Sequence, residues 1–262
     1  IWTEINFYVN NSGILEQSVH ALPKRLRGWW YSLETGDFNN DGYLDVVAGN
    51  YGLNATFQTS DEQKFGAFAY DFDQNSILDI LFTIKQDGKY IPFYGKTKLN
   101  TTFQGLNLRF PTYQSIADKP MSAIFGSETV QKAAHFEADT FASHIFLNNG
   151  DGSFTPSPLP SSAQLSPVMG ISTHDVDNDG NMDIILAGNI FRTEPEMPRL
   201  DAGNGLWLKG EGNGHFKAIS PHTSGFLAPY DAKDIQLLST GKGTSVLIGN
   251  NRNTLQLYNI NK

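Results

Sequence analysis

Two stretches of the chain repeat a nine-residue pattern, D-x-[DN]-x-D-G-x-x-D, and each runs directly into a short apolar segment. Asp37-Phe38-Asn39-Asn40-Asp41-Gly42-Tyr43-Leu44-Asp45 leads into Val46-Val47-Ala48-Gly49-Asn50, and Asp175-Val176-Asp177-Asn178-Asp179-Gly180-Asn181-Met182-Asp183 leads into Ile184-Ile185-Leu186-Ala187-Gly188-Asn189. In a tight turn the oxygen side chains at the first, third and fifth places point inward. The seventh residue, Tyr43 or Asn181, offers its carbonyl, and the closing Asp completes a hard-oxygen shell of the kind Ca2+ takes. Glycine at the sixth place permits the reversal, because it adopts positive φ without a Cβ clash. An EF-hand loop begins alike but closes on a Glu at its twelfth place and lies between helices. Here the flanks are β-branched runs of strand length, so the pattern predicts a metal-binding turn at the tip of a β-hairpin.

A third copy, Asp71-Phe72-Asp73-Gln74-Asn75-Ser76-Ile77-Leu78-Asp79, precedes Ile80-Leu81-Phe82-Thr83. It has Asn75 at the fifth place and Ser76 where glycine is wanted, so Asp71, Asp73, Asn75, Ile77 and Asp79 are expected to form a weaker site. Of the 27 acids, ten lie in these three loops, and without them the net charge of -8 would become +2. Carboxylates crowded into one turn repel unless a cation neutralises them. The acidic balance argues against a nucleic-acid partner, which needs clustered Lys and Arg. The longest apolar runs, such as Ile184 to Ala187, are strand-length and too short for a membrane-spanning helix. Cysteine is absent, which removes disulfide frameworks, thiolate zinc sites and cysteine nucleophiles together.

A second recurring element follows the loops: Phe146-Leu147-Asn148-Asn149-Gly150-Asp151-Gly152-Ser153-Phe154 and Leu208-Lys209-Gly210-Glu211-Gly212-Asn213-Gly214-His215-Phe216, with a looser copy from Phe7 to Leu15. Strand, Asp-Gly or Asn-Gly turn, strand is a strong short-range hairpin signal. A metal-tipped hairpin followed by a plain one makes four antiparallel strands, the blade of a β-propeller. From Asp175 to Gly214 is 39 residues, whereas from Asp71 to Gly152 is 81, and the excess of 42 matches an unlike segment at about 95–139. Asp118 before Pro120, and Gly126 before Ser127, mark two short helices there, the second running through Val130, Ala133, Ala134 and Ala138.

The fold expected is therefore all-β, a β-propeller or partial propeller of four-stranded antiparallel blades with a small helical insertion. It forms a single domain over 1–262: a rear half-blade at 1–29, blades with metal loops at 30–94 and 140–160, the insertion at 95–139, a blade with a metal loop at 161–225, and a metal-free final blade at 226–262. In that final blade Ser245 replaces the closing Asp, and Thr254 to Tyr258 supplies a third strand. The opening hairpin, Ile5 to Val19, either pairs with the last blade to close a ring or belongs with blades upstream. Only 34 residues separate Asp37 from Asp71, which leaves open whether their loops share one blade or start two.

The best catalytic candidate is the loop Glu194-Pro195-Glu196-Met197-Pro198-Arg199-Leu200-Asp201. Glu194 and Glu196 with Arg199 and Asp201 could bind a ligand or run acid and base chemistry on a polysaccharide. Charged loops stiffened by proline are more often simply solvated. The six histidines show no metal spacing and no Ser-His-Asp order stands out, so no catalytic residue is assigned.

These motifs resemble the FG-GAP and VCBS repeat proteins, which include the integrin α-chain propeller. Arg109-Phe110-Pro111-Thr112-Tyr113, Ile124-Phe125-Gly126, Ala142-Ser143-His144-Ile145-Phe146-Leu147-Asn148, Glu194-Pro195-Glu196 and Arg199-Leu200-Asp201-Ala202 resemble the bacterial ASPIC/UnbV-associated, cartilage acidic protein-like branch. The ASPIC/UnbV module itself is not visible in the sequence. The resemblance implies a β-propeller with Ca2+ held in hairpin loops by Asp37, Asn39, Asp41 and Asp45, and by Asp175, Asp177, Asp179 and Asp183. It further implies an extracytoplasmic location, secreted, periplasmic or at the cell surface, and a binding role toward an extracellular protein or glycan. Two alternatives stand beside this reading: a polysaccharide-active enzyme using Glu194 and Glu196, and a structural segment of a larger surface protein.

Overall fold

The computed structural model describes residues 2–18, 21–22, 26–241 and 243–260; Val19, the end of the expected opening hairpin, and His20 lie outside these. Antiparallel sheets dominate. The chain divides into two compact units, Thr3–Thr56 with Phe141–Lys262, and Phe57–Thr140 with Trp2.

The first unit carries three propeller-type sheets. Strands Ser32–Gly36, Asp45–Gly49, His144–Asn148 and Phe154–Pro158 lie side by side in that order. A second sheet repeats the arrangement with Gly170–His174, Asp183–Ala187, Leu206–Gly210 and Phe216–Ile219. The third has three strands, Ala232–Thr240, Gly243–Asn250 and Gln256–Asn259. In each four-stranded sheet the first hairpin ends in an Asp loop and the second in a glycine turn.

The run Ile184-Ile185-Leu186-Ala187 shows why an unbroken apolar segment forms a strand here. Side chains alternate between the faces of a strand. Ile184 and Leu186 enter the core shared with Val47, Ile145 and Ile171, whereas Ile185 and Ala187 enter the core shared with Ala232, Ile235, Val246 and Ile248. A strand packed on both faces has no polar side, hence no alternation in its sequence. The first strands of the sheets are neighbours. At Gly170 a Cβ would stand 2.6 Å from the Ile235 nitrogen, so only glycine permits that approach.

The Gly-Asn that ends each second strand also has a packing cause. A Cβ on Gly188 would collide with the carbonyl oxygen of Pro167. Asn189 is fully buried: its amide donates to the carbonyls of Gly203 and Tyr230 at 2.8 Å each, and its oxygen accepts from Gly203 N at 3.0 Å and Ser166 Oγ at 2.7 Å. Asn50 is buried alike and accepts from the backbone of Trp29 at 3.0 Å and of Tyr51 at 2.8 Å. In the third sheet the same letters survive without the packing. Asn250 is only half-buried and serves Thr254 O at 2.9 Å and Gln256 at 3.1 Å.

The opening strands Tyr8–Asn11 and Ile14–Gln17 pair with each other as a separate two-stranded sheet. They do not join the third sheet among the described residues; instead Phe7 stacks on Phe154, ring centroids 4.3 Å apart.

The second unit holds one sheet, ordered Ala134–Ala138, Lys64–Tyr70, Asp79–Gln86, Lys89–Pro92. The loops of Asp37 and Asp71 thus belong to two sheets. The second sheet-bearing unit is nested between the second and third strands of the first unit's first sheet, and the chain leaves and returns at one point, where Gly52 N donates to Phe141 O at 2.8 Å. The nested unit begins near Phe57, and the expected helical segment at about 95–139 is the part of it whose helices cover the sheet. Those helices are Lys96–Thr102, Leu106–Arg109, Tyr113–Ile116, Met121–Phe125 and Ser127–Lys132. They pack Leu99, Phe103, Phe110, Met121 and Ile124 onto Phe68, Phe72 and Leu81. The expected helix through Ala134 and Ala138 is corrected: it stops at Lys132, and Ala134–Ala138 is a strand in register with Phe65 to Ala69. Edge pairing overrides the helix propensity of its alanines.

Candidate metal sites

All three Asp loops adopt one backbone path. The fourth and sixth residues have positive φ in each: Asn40 (60°) and Gly42 (87°), Gln74 (61°) and Ser76 (67°), Asn178 (58°) and Gly180 (89°). The first Asp takes up the freed amides of the turn. Asp37 accepts from Asp41 N and Gly42 N at 3.2 and 2.9 Å, Asp71 from Asn75 N and Ser76 N at 3.0 and 2.8 Å, and Asp175 from Asp179 N and Gly180 N at 3.0 and 2.9 Å. The fifth side chain caps the seventh amide, Asp41 to Tyr43 N at 2.8 Å, Asn75 to Ile77 N at 2.7 Å and Asp179 to Asn181 N at 2.9 Å. These are Asx turns, which explains the choice of Asp and Asn at these places.

The closing Asp ties the loop to its sheet. Asp45 accepts from Phe38 N at 2.9 Å and from Asn148 N, on the third strand, at 2.7 Å; Asp183 accepts from Val176 N at 3.0 Å and Gly210 N at 2.7 Å. Both are fully buried. Asp79 keeps the first of these bonds, from Phe72 N at 3.0 Å, and is half-buried. Burial pushes the carboxyl groups of Asp45, Asp79 and Asp183 above the ordinary range, against the pull of these backbone donors.

The carboxylates gather closely enough to share one ion in two of the loops. Oxygens of Asp71, Asp73 and Asp79 lie within 4.8 Å of one another, as do those of Asp175, Asp177 and Asp183. In the first loop Asn39 supplies an amide in place of the third-position carboxylate, and its Nδ2 donates to Asp41 at 2.8 Å. The first and third loops also touch, Asn40 Nδ2 donating to Asn181 Oδ1 at 2.9 Å. The ring of Tyr43 packs over Gly150 of the plain hairpin though half its surface stays exposed, and Ile77 at the same place in the second loop is exposed as well.

Ser76 holds a left-handed backbone conformation that costs a non-glycine residue about 1–2 kcal/mol. Ser76→Gly is therefore expected to stabilise the second unit, by about 0.5–1 kcal/mol after the greater freedom of glycine in the unfolded chain is subtracted. Chemical denaturation would read this directly.

Sequence reasoning missed Lys209. Its ammonium bonds Asp177 and also Asp179, the latter at 2.9 Å, and holds the Asp179 carboxyl below the ordinary range. No local signal marks the pair, since 32 residues separate Lys209 from Asp177. The carboxylate loop, by contrast, forms no enclosed site. Glu194, Glu196 and Arg199 are exposed on the excursion closed by the Ile190–Leu200 bridge, Asp201 is exposed just beyond it, and the Arg199 guanidinium lies 5.6 Å from the centre of the Phe191 ring. A cavity of about 310 Å3 starts at the adjoining Ala202 and includes none of the four.

Two repeat families match the chain. Residues 29–63, spanning the first Asp loop, match the FG-GAP repeat, and residues 138–186, spanning the third, match the FG-GAP-like repeat. No curated protein matches it. The helical nested unit falls almost wholly outside both stretches, so the chain carries FG-GAP-type repeats in sheets of β-propeller-like fold.

Proposed function

We propose that this chain is a calcium-stabilised FG-GAP module of the extracellular space or cell envelope, binding a protein or glycan. The observation that carries the reading is the shared architecture of the loops, with three carboxylates drawn to within 4.8 Å in two of them. Ca2+ would be held by Asp37, Asn39, Asp41, Asp45 and the Tyr43 carbonyl in the first loop, and by Asp175, Asp177, Asp179, Asp183 and the Asn181 carbonyl in the third. Asp71, Asp73, Asn75, Asp79 and the Ile77 carbonyl would hold it in the second, whose turn keeps the same hydrogen bonds despite Ser76. When bound, the ion supplies positive charge that lets buried and crowded carboxylates stay ionised.

The glycan reading is supported by a cavity of about 550 Å3 beside the third loop, where Asp177 and Asn178 meet Trp207, Phe226 and Tyr258. The indole of Trp207 is directed there toward the Asp183 carboxylate. Flat aromatic faces suit a sugar ring. The same proposal includes kinship with the ASPIC/UnbV-associated branch, for which the support is the resemblance of Arg109 to Tyr113 and Ile124 to Gly126.

Calorimetric titration of the chelator-stripped chain with Ca2+ tests the reading. Each occupied site adds about 2.7 kcal/mol at a hundredfold excess over its Kd, raising Tm by roughly 5–10 °C in a chain of this size. Lys209→Met, which frees Asp177 and Asp179, is expected to tighten calcium binding at the third loop and leave the second unchanged. No heat and no shift in Tm at millimolar Ca2+ would remove the proposal.

A further inference from the structure

The strand Lys89–Pro92 and the helical part of the nested unit line a half-open cavity of about 320 Å3 that the Asp loops do not explain. Its wall is largely carbon, from Phe93, Tyr94, Ile116 and Ile124. Lys96 also lines it, and is only 9% exposed. A lysine this buried ordinarily faces a carboxylate. In the same unit Lys64 and Lys85 do so, through Asp139 at 3.5 Å and Glu137 at 3.2 Å. Lys96 has neutral company instead. Its Nζ donates to Asn107 Oδ1 at 2.5 Å and lies 5.7 Å from the centre of the Tyr113 ring.

Lys96 thus lines an apolar cavity beside the Tyr113 ring, with no acid paired to it among the described residues. The sole acid lining the cavity, Asp118, is exposed on the turn before Pro120 and so sits at the rim. Tyr113, 69% exposed, forms the rim with it and is fixed by Thr97 at 2.8 Å.

We propose that this cavity binds a small organic monoacid, its anionic group on Lys96 Nζ and its apolar body among Phe93, Tyr94, Ile116 and Ile124. Charge sets the selectivity. A neutral analogue leaves the ammonium without a counter-charge in a low-dielectric wall, and a second anionic group would meet Asp118. The volume lies near the low end of ligand pockets, about 300–1,000 Å3, which limits the body to roughly one ring.

The test uses the intact chain in chelator, so that calcium binding plays no part, with phenylacetate and its neutral isostere phenylacetamide as probes. Ligand-detected NMR is expected to show saturable phenylacetate binding at about millimolar Kd or tighter, at least about tenfold tighter than phenylacetamide. Lys96→Met should erase that preference. Should it fail to fold, Ala117→Trp fills the cavity from an exposed position lining it and leaves the cation alone; this variant should lose phenylacetate. Equal binding of acid and amide, no saturation in the millimolar range, or undiminished binding to Ala117→Trp would overturn the proposal.

Discussion

Asp183→Ala is expected to lower the stability of the first unit by about 3–5 kcal/mol, with or without calcium. The carboxylate is fully buried and accepts from Val176 N and Gly210 N, the second at 2.7 Å. Removing it strands two backbone donors, each costing roughly 1–3 kcal/mol when left without an acceptor in the interior. A domain is stable by about 5–15 kcal/mol in all, so the variant should melt far earlier or fail to accumulate. Asp183→Asn keeps one accepting oxygen and should lose about half as much. The measurement is denaturant unfolding in chelator and again in calcium. A loss confined to calcium would mean that Asp183 serves the ion alone and that its backbone bonds carry no weight.

Asn189→Ala should cost about 3–4 kcal/mol, because the four short hydrogen bonds of this fully buried amide, each worth about 1 kcal/mol net, disappear together with a longer one to Pro229 O. Asn189→Asp should be equally damaging, since a carboxylate would face the carbonyls of Gly203 and Tyr230 where the amide donates. Asn250→Ala is the matched control. It ends the corresponding strand of the third sheet but is half-buried with two bonds, so its loss should stay under about 1 kcal/mol. Equal effects at the two positions would show that the repeated Gly-Asn is a turn preference and not a packing device.

What the sequence revealed follows from how local each signal is. The Asp loops and the hairpins at Asn149–Gly152 and Glu211–Gly214 are written in consecutive residues, and the strands on either side of them were legible for that reason. Pairing of Val46 and Val47 with Phe146 and Ile145 is not local, so nothing in the sequence near Asn50 announces that a whole sheet and five helices intervene. Ala133 and Ala134 read as helix because alanine favours it, whereas the sheet edge beside Phe65 to Ala69 settles the matter through tertiary pairing. Lys209 and Lys96 share this blindness. Each is one lysine among many in the sequence, and only folding places one on a pair of aspartates and the other in a carbon-lined hollow.

The nested topology has a consequence for how the protein comes into being. During synthesis the hairpin of Ser32–Gly36 and Asp45–Gly49 emerges early, yet its inner neighbour His144–Asn148 cannot reach it until the entire guest has left the ribosome. Until then Asp45 lacks Asn148 as its second donor, and the open strand edge is a site for wrong pairing. A guest that folds promptly brings Gly52 and Phe141 together and shortens that exposure, so mutations slowing the helical unit should surface as aggregation of the host.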